Sequence, residues 1–258
     1  MRRFSLLLAL AAASFAAVNV GVAHAAACGA VASSTTLTSD CDAPLTIAAS
    51  GITVNLGGHS IVCNDPTVDG IVIPATVSSA RVKNGFVVSG SANCTNGVHV
   101  LGDSNRFVGI SSRSNGNDGF ISLGSFNVVH AFTARANNDD GISFFLGSDN
   151  AVTDSVVIGN ADKGIISGSN STTIFGNTIS DNDRGIYLSD GSSGSRITAN
   201  AVFSNGTGIE VNSTSSSNRI TSNVSLGNNL DMSDDNVDCD ADIWTFNLFQ
   251  SSNESCIH

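Results

Sequence analysis

Residues that build solvated helices are nearly missing from this sequence. Lys occurs only at Lys83 and Lys163, and Glu only at Glu210 and Glu254. Charged residues make up 13% of the chain, about half the roughly 25% of an ordinary globular protein. Pro is scarce at 3, with 1 Trp and 1 Tyr. Ser, Thr, Asn, Gly, Val and Ile stand in place of the helix formers, which excludes a helical bundle and argues against a β/α barrel. Cations are short as well: 11 Lys and Arg face 22 Asp and Glu, a formal charge of -11. That balance argues against nucleic acid or an anionic lipid as partner, and repels acidic polysaccharide at long range unless a cation intervenes. Hydrophobic content nevertheless holds at 41%, so a packed core is expected rather than disorder.

The N-terminus reads as an export signal. Met1-Arg2-Arg3 supplies positive charge, Phe4 to Ala17 an apolar stretch, and Ala23-His24-Ala25 a small-x-small cleavage site. Cleavage after Ala25 gives a secreted or periplasmic chain with 9 basic against 22 acidic residues, a balance of −13. No later apolar run reaches membrane length, so no membrane span is expected after cleavage. All six cysteines (Cys28, Cys41, Cys63, Cys94, Cys239 and Cys256) lie in this exported part. An even number in an oxidising compartment reads as three disulfides with 15 conceivable connectivities. The sequential set Cys28–Cys41, Cys63–Cys94 and Cys239–Cys256 is expected.

What dominates the rest is self-similarity. A Gly followed by an apolar residue recurs at Gly97-Val98, Gly119-Phe120, Gly141-Ile142, Gly164-Ile165, Gly185-Ile186 and Gly208-Ile209, in steps of 22, 22, 23, 21 and 23 residues. Two columns march in phase: Phe107, Val129, Val152, Ile174, Ile197, Ile220, and Asn115, Asn137, Asn160, Asn182, Asn205, Asn228. A unit of this length holds about three short strands and their turns at ~3.3 Å per residue. That is one coil of a parallel β-helix. Stacking at ~4.8 Å would then put Ile142, Ile165, Ile186 and Ile209 in one buried column, and let each turn asparagine bond its copies above and below. Asn177, Asn200 and Asn223 form a second column of the same kind.

The fold class expected is therefore all-β, a single-domain parallel β-helix of about eight coils. The boundaries are a signal segment at 1–25, an N-terminal cap at 26–44, the β-helix at 45–230 and an acidic C-terminal cap at 231–258, with the caps stapled by disulfides.

The stretch Ile52-Thr53-Val54-Asn55-Leu56-Gly57-Gly58-His59-Ser60-Ile61, the Asn-x-x-x-Gly-Ile coils and the tail from Cys239-Asp240-Ala241-Asp242-Ile243-Trp244 to Cys256-Ile257 resemble the right-handed parallel β-helix proteins of the pectin-lyase-like superfamily, especially the exported NosD-like group. The resemblance covers the mature chain. It implies a right-handed coil, and a scaffold that hosts lyases, glycosidases, epimerases and accessory proteins alike.

Chemistry is sought where stacking gathers charge. Asp139, Asp162 and Asp183 stand two residues before successive coil glycines, ~5 Å apart if stacked. One residue further on, Asp118, Asp140, Lys163, Arg184 and Thr207 change from acidic to basic. Paired carboxylates suit acid–base cleavage of a glycosidic bond, or Ca²⁺. Lys163 or Arg184 would then act beside a sugar carboxylate, as the pectate-lyase resemblance implies. Against catalysis, coil length is nearly constant after Gly97, so no long loop walls a cleft. The leading expectation is thus a polysaccharide- or surface-binding module without catalysis, and the alternative a small polysaccharide lyase or hydrolase. A second Ca²⁺ candidate is Asp238, Asp240 and Asp242, which share a face if extended. Copper, the role implied by the NosD resemblance, is disfavoured: Met232, His59, His99, His130 and His258 show no metal-ligand spacing.

Overall fold

The computed structural model describes residues 28–189 and 191–258; the expected signal segment lies outside them. Short β-branched runs, broken every few residues by Ser, Asn, Gly or Asp, form a right-handed parallel β-helix whose strands pair parallel throughout. A ten-stranded sheet climbs in sequence order from Gly29–Val31 to Leu230–Asp234, and eight of its strands lie between residues 45 and 229. A sixteen-stranded sheet forms the other two legs of each coil.

The repeat columns are in register. Ile142 pairs with Ile165, Ile165 with Ile186 and Ile186 with Ile209, and all four are fully buried. Phe107, Phe120, Phe132 and Phe144 form an edge-to-face cluster buried in the core. Before Val98 the coils are less regular, as the sequence implied: Leu45 pairs with Ile71 and Ile71 with Val98. The disulfides are Cys28–Cys41, Cys63–Cys94 and Cys239–Cys256, the sequential set.

Each coil turns three corners, and each corner has the same construction. A residue in the left-handed region bends the chain, and the next side chain points inward. Ser114, Ala136, Gly159, Asp181, Ser204 and Gly227 (φ between 53° and 71°) precede the long asparagine column. Backbone groups at such a bend cannot continue the sheet ladder, so side-chain amides take over. The Asn137 N–H and Nδ2 both donate to Asn160 Oδ1, at 3.1 and 2.8 Å, and Asn160 repeats this on Asn182 at 2.9 and 3.0 Å. The second column, Asn177–Asn200–Asn223, behaves likewise and extends to Asn247. A third, which the repeat analysis missed, begins Asn105–Asn127–Asn150 and later mixes Ser195, Asn218 and Asp242.

The recurrent glycine follows from the first ladder. A Cβ on Gly141 would lie 2.4 Å from Val157 Cγ1, 2.6 Å from Gly164 O and 2.8 Å from Asn160 Nδ2. Only glycine fits beside a stacked asparagine and the next coil's backbone.

Candidate functional site

Between the asparagine corner and the ten-stranded sheet, two residues of each coil emerge on the outside before the chain enters its strand. Across the coil glycine the period-2 alternation of the strand does not hold, and the side chain three positions later lies against the first on the outer face. Asp140 and Ser143 thereby meet, with Ser143 Oγ donating to Asp140 Oδ2 at 3.2 Å. The same i, i+3 spacing joins Arg184 to Tyr187, and it relates Asn96 to His99, Lys163 to Ile166 and Thr207 to Glu210 in sequence. Stacked coil on coil, these positions make one charged strip along the rod.

Its acidic end is built from buried carboxylates. Asp118 is 4% exposed and Asp140 3%. Asp118 Oδ1 accepts the Asp140 N–H at 3.1 Å, and Asp140 Oδ1 accepts the Lys163 N–H at 2.9 Å. Carboxylate oxygens of Asp118, Asp140 and the exposed Asp139 lie within 4.8 Å of one another. Burial and then the charge of Asp140 push Asp118 up to about 7. Burial likewise raises Asp140 to about 6, against the N–H bond and charge of Lys163. Further down, burial opposes ionisation of Asp69, yet bonds from His99 Nδ1 (2.7 Å) and Asn96 hold its pKa below the ordinary value.

At the basic end Lys163 Nζ contacts Asp162 Oδ2 and lies 3.8 Å from Asp140 Oδ1. Burial works against its charge, but these carboxylates raise its pKa. Arg184 Nε bonds Glu210 Oε2 at 2.9 Å and its guanidinium sits 4.8 Å above the Tyr187 ring. Asn212 in turn donates to the Tyr187 hydroxyl at 2.9 Å.

The expected residues Asp139, Asp162 and Asp183 do stack, Asp162 N–H on Asp139 O and Asp183 N–H on Asp162 O at 3.2 and 2.8 Å. Their outer carboxylates are more exposed than those of Asp118 and Asp140. The structure thus places Asp139, Asp162 and Asp183 in one outer column, beside the column of Asp118, Asp140, Lys163 and Arg184. His99, Asp69, Tyr187 and Glu210 were not among the expected site residues, although Tyr187 and Glu210 read as outward strand positions and Asp69 stands one residue before its coil glycine, as Asp118 and Asp140 do.

The tail differs from the expectation. Val237–Cys239 is a 3₁₀ turn, and Asp238 and Asp240 sit at φ 55° and 45°, so Asp238, Asp240 and Asp242 do not alternate along an extended strand. Asp242 is instead the last rung of the third ladder, accepting the Asn218 N–H at 2.6 Å, and burial raises it to about 6.

A coiled scaffold of parallel strands with a charged strip along one sheet defines the class: a parallel β-helix. Pectate lyase Pel9A is similar to 90% of this chain over 79% of its own length, at 15% identity and a TM-score of 0.67. The Dettilon tailspike protein (gp208) is similar over 85% of this chain and 60% of its own, at 15% identity and TM-score 0.61. Tailspike protein 2 of bacteriophage CBA120 covers 86% of this chain and 41% of its own, at 13% identity and TM-score 0.61. No curated protein matches the sequence. The chain belongs to the family described as periplasmic copper-binding protein (NosD), whose profile matches residues 34–253.

The donor set does not fit copper, which favours imidazole, thiolate and thioether. All six cysteines are in disulfides and Met232 is fully buried in the core. His59, His99 and His130 sit on separate coils, each with its Nδ1 against a different carboxylate. Among the described residues, the one group of three close metal-ligating side chains is Asp118, Asp139 and Asp140, all hard oxygen donors.

Proposed function

We propose that this protein is an exported polysaccharide-binding module that lays a glycan along the charged strip of the ten-stranded sheet. The observation that carries this reading is the burial of Asp118 and Asp140 on an outward face, where ionisation is disfavoured. Each spends one oxygen on the backbone N–H of the next coil, a bond that a neutral asparagine would serve as well, so the ladder does not call for an acid. A side chain kept against its own solvation on a surface marks a site rather than a structural need. Near neutral pH such a carboxyl both donates and accepts, as sugar hydroxyls require. The cations are already engaged by Asp140, Asp162 and Glu210, and the coil spacing of 21 to 23 residues after Gly97 leaves no long loop over the sheet, which favours holding a chain over enclosing and cutting it.

A second reading draws support from the same pKa values. A carboxyl near 7 beside the exposed Asp139 has the form of an acid–base pair for glycoside cleavage, with Lys163 or Arg184 meeting a sugar carboxylate. The test is a panel of plant, algal and microbial polysaccharides, with and without Ca²⁺, assayed for binding, new reducing ends and unsaturated products. Retained binding without turnover, weakened by Asp140→Asn, is expected. Turnover abolished by Asp118→Asn in a folded protein would establish the cleavage reading instead. Binding unchanged by both substitutions would overturn the strip as the site.

A further inference from the structure

The strip accounts for Lys163 and Arg184. The other seven cations of the exported chain, namely Arg81, Lys83, Arg106, Arg113, Arg135, Arg196 and Arg219, all lie in strands of the sixteen-stranded sheet. Six of them are exposed and Lys83 is half-buried. Not one Asp or Glu occurs in any strand of that sheet. In a chain with twice as many acids as bases, the strands of these two legs therefore carry cations and no acid. The arginines come in stacked pairs, Arg81 beside Arg106, Arg113 beside Arg135 and Arg196 beside Arg219, each pair one strand spacing apart.

Ion pairing within the protein does not explain them. Among the described residues, each salt bridge involves His59, His99, His130, Lys163 or Arg184, and none of these seven. The acids in the bordering turns are held locally: Asp40 by His59, Asp154 by His130, Asp103 by the Ser125 N–H, Asp149 by Ser148 and Asp181 by Ser180. Between the first two arginine pairs the sheet bends at Asn84, Gly109 and Ala131, all left-handed in φ. The bend opens a trough of about 380 Å³ lined by Gly58, Asn84, Phe86, Ser111 and Thr133, with Phe86 42% exposed on its wall.

We infer that this face is a second binding surface, specific for an anionic polysaccharide of the uronate type, with one sugar ring seated in the trough. A sugar presents an apolar face, which suits Phe86, and hydroxyls, which suit Asn84, Ser111 and Thr133. The volume is that of a small-ligand site. Arginine forks match carboxylates, and the ~4.8 Å between the two arginines of a pair suits neighbouring acid groups of a polymer that bears one on every ring. The balance of −13 opposes any anionic polymer at long range, so binding rests on contact with the arginines. A polysaccharide is favoured over nucleic acid because the amide and hydroxyl groups of Asn84, Ser111 and Thr133 beside Phe86 match the hydroxyls of a sugar ring, and over an anionic membrane because the trough holds a ring rather than a bilayer surface. The inference is independent of the strip, which lies on the other sheet.

The test measures binding of oligogalacturonate to the mature protein at low and physiological salt, with dextran, a single-stranded oligonucleotide and phosphatidylglycerol vesicles alongside. Oligogalacturonate is expected to bind and to weaken with salt. Replacing Arg81, Arg106, Arg113 and Arg135 by Ser should lower its affinity by at least about tenfold. Lys at the same positions should restore most of it, and Phe86→Ala should weaken it without changing the salt dependence. Unfolding midpoints equal to the parent's confirm that these exposed substitutions leave the fold intact. No binding, equal binding of dextran, or affinity unchanged in the Ser variant would overturn the inference. Tighter binding of the oligonucleotide or the vesicles would overturn the assignment to polysaccharide. Glycan binding that survives the Ser variant but falls with Asp140→Asn belongs to the strip.

Discussion

Asp118→Asn should make this protein more stable, and only above mildly acidic pH. The Asp118 carboxyl is buried beside Asp140, and its pKa rises from 3.8 to about 7. For an acid whose folded pKa lies above its unfolded one, the folded state holds the extra proton. The stability this represents is complete below pH 3.8 and is lost as pH climbs through about 7. The shift corresponds to on the order of 4 kcal/mol by pH 8. Asparagine carries no charge there, keeps the oxygen that accepts the Asp140 N–H (3.1 Å), and relieves the repulsion felt by Asp140. Urea unfolding of parent and variant should coincide near pH 4 and diverge steadily up to pH 8. In a chain of this size such a difference moves Tm by about 8–16 °C. Parallel stability profiles across that range would refute the placement of Asp118 in a low-dielectric, like-charged pocket. With them would go the argument that the strip retains a destabilising group for a purpose.

Two further outcomes probe the scaffold. Asn160→Ala deletes the acceptor of two Asn137 bonds and the donor to Asn182, orphaning a buried backbone N–H. A loss of about 2–4 kcal/mol in denaturant unfolding is expected, against less than about 0.5 kcal/mol for the exposed Asn138→Ala. Cys63 and Cys94 close a loop spanning 31 residues, so replacing both by Ser should lower stability by about 4 kcal/mol through the unfolded chain's regained freedom. A midpoint unchanged by that replacement would contradict the constraint.

Much of the site was legible because the repeat converts sequence spacing into spatial adjacency. Once Ile142, Ile165 and Ile186 are known to stack, Asp140, Lys163 and Arg184 must stack too. Burial was not legible. Asp139 and Asp140 are neighbours in sequence and equally acidic, yet one is exposed and the other 3% exposed. The direction each takes at the corner depends on the bend before it and on the strand after it. The third ladder escaped notice because its rungs vary in type, from Asn150 to Ser195 to Asp242. The tail was misjudged because alternation was assumed where the backbone makes left-handed turns at Asp238 and Asp240.

By itself the sequence determined the winding, the buried aliphatic stacks and the asparagine ladders, since each depends on residue type recurring at a fixed interval. Only the tertiary structure decided which carboxyls lose their water and where unpaired arginines gather. Both are sums over neighbours on several coils, and no single coil contains enough of those neighbours to announce them.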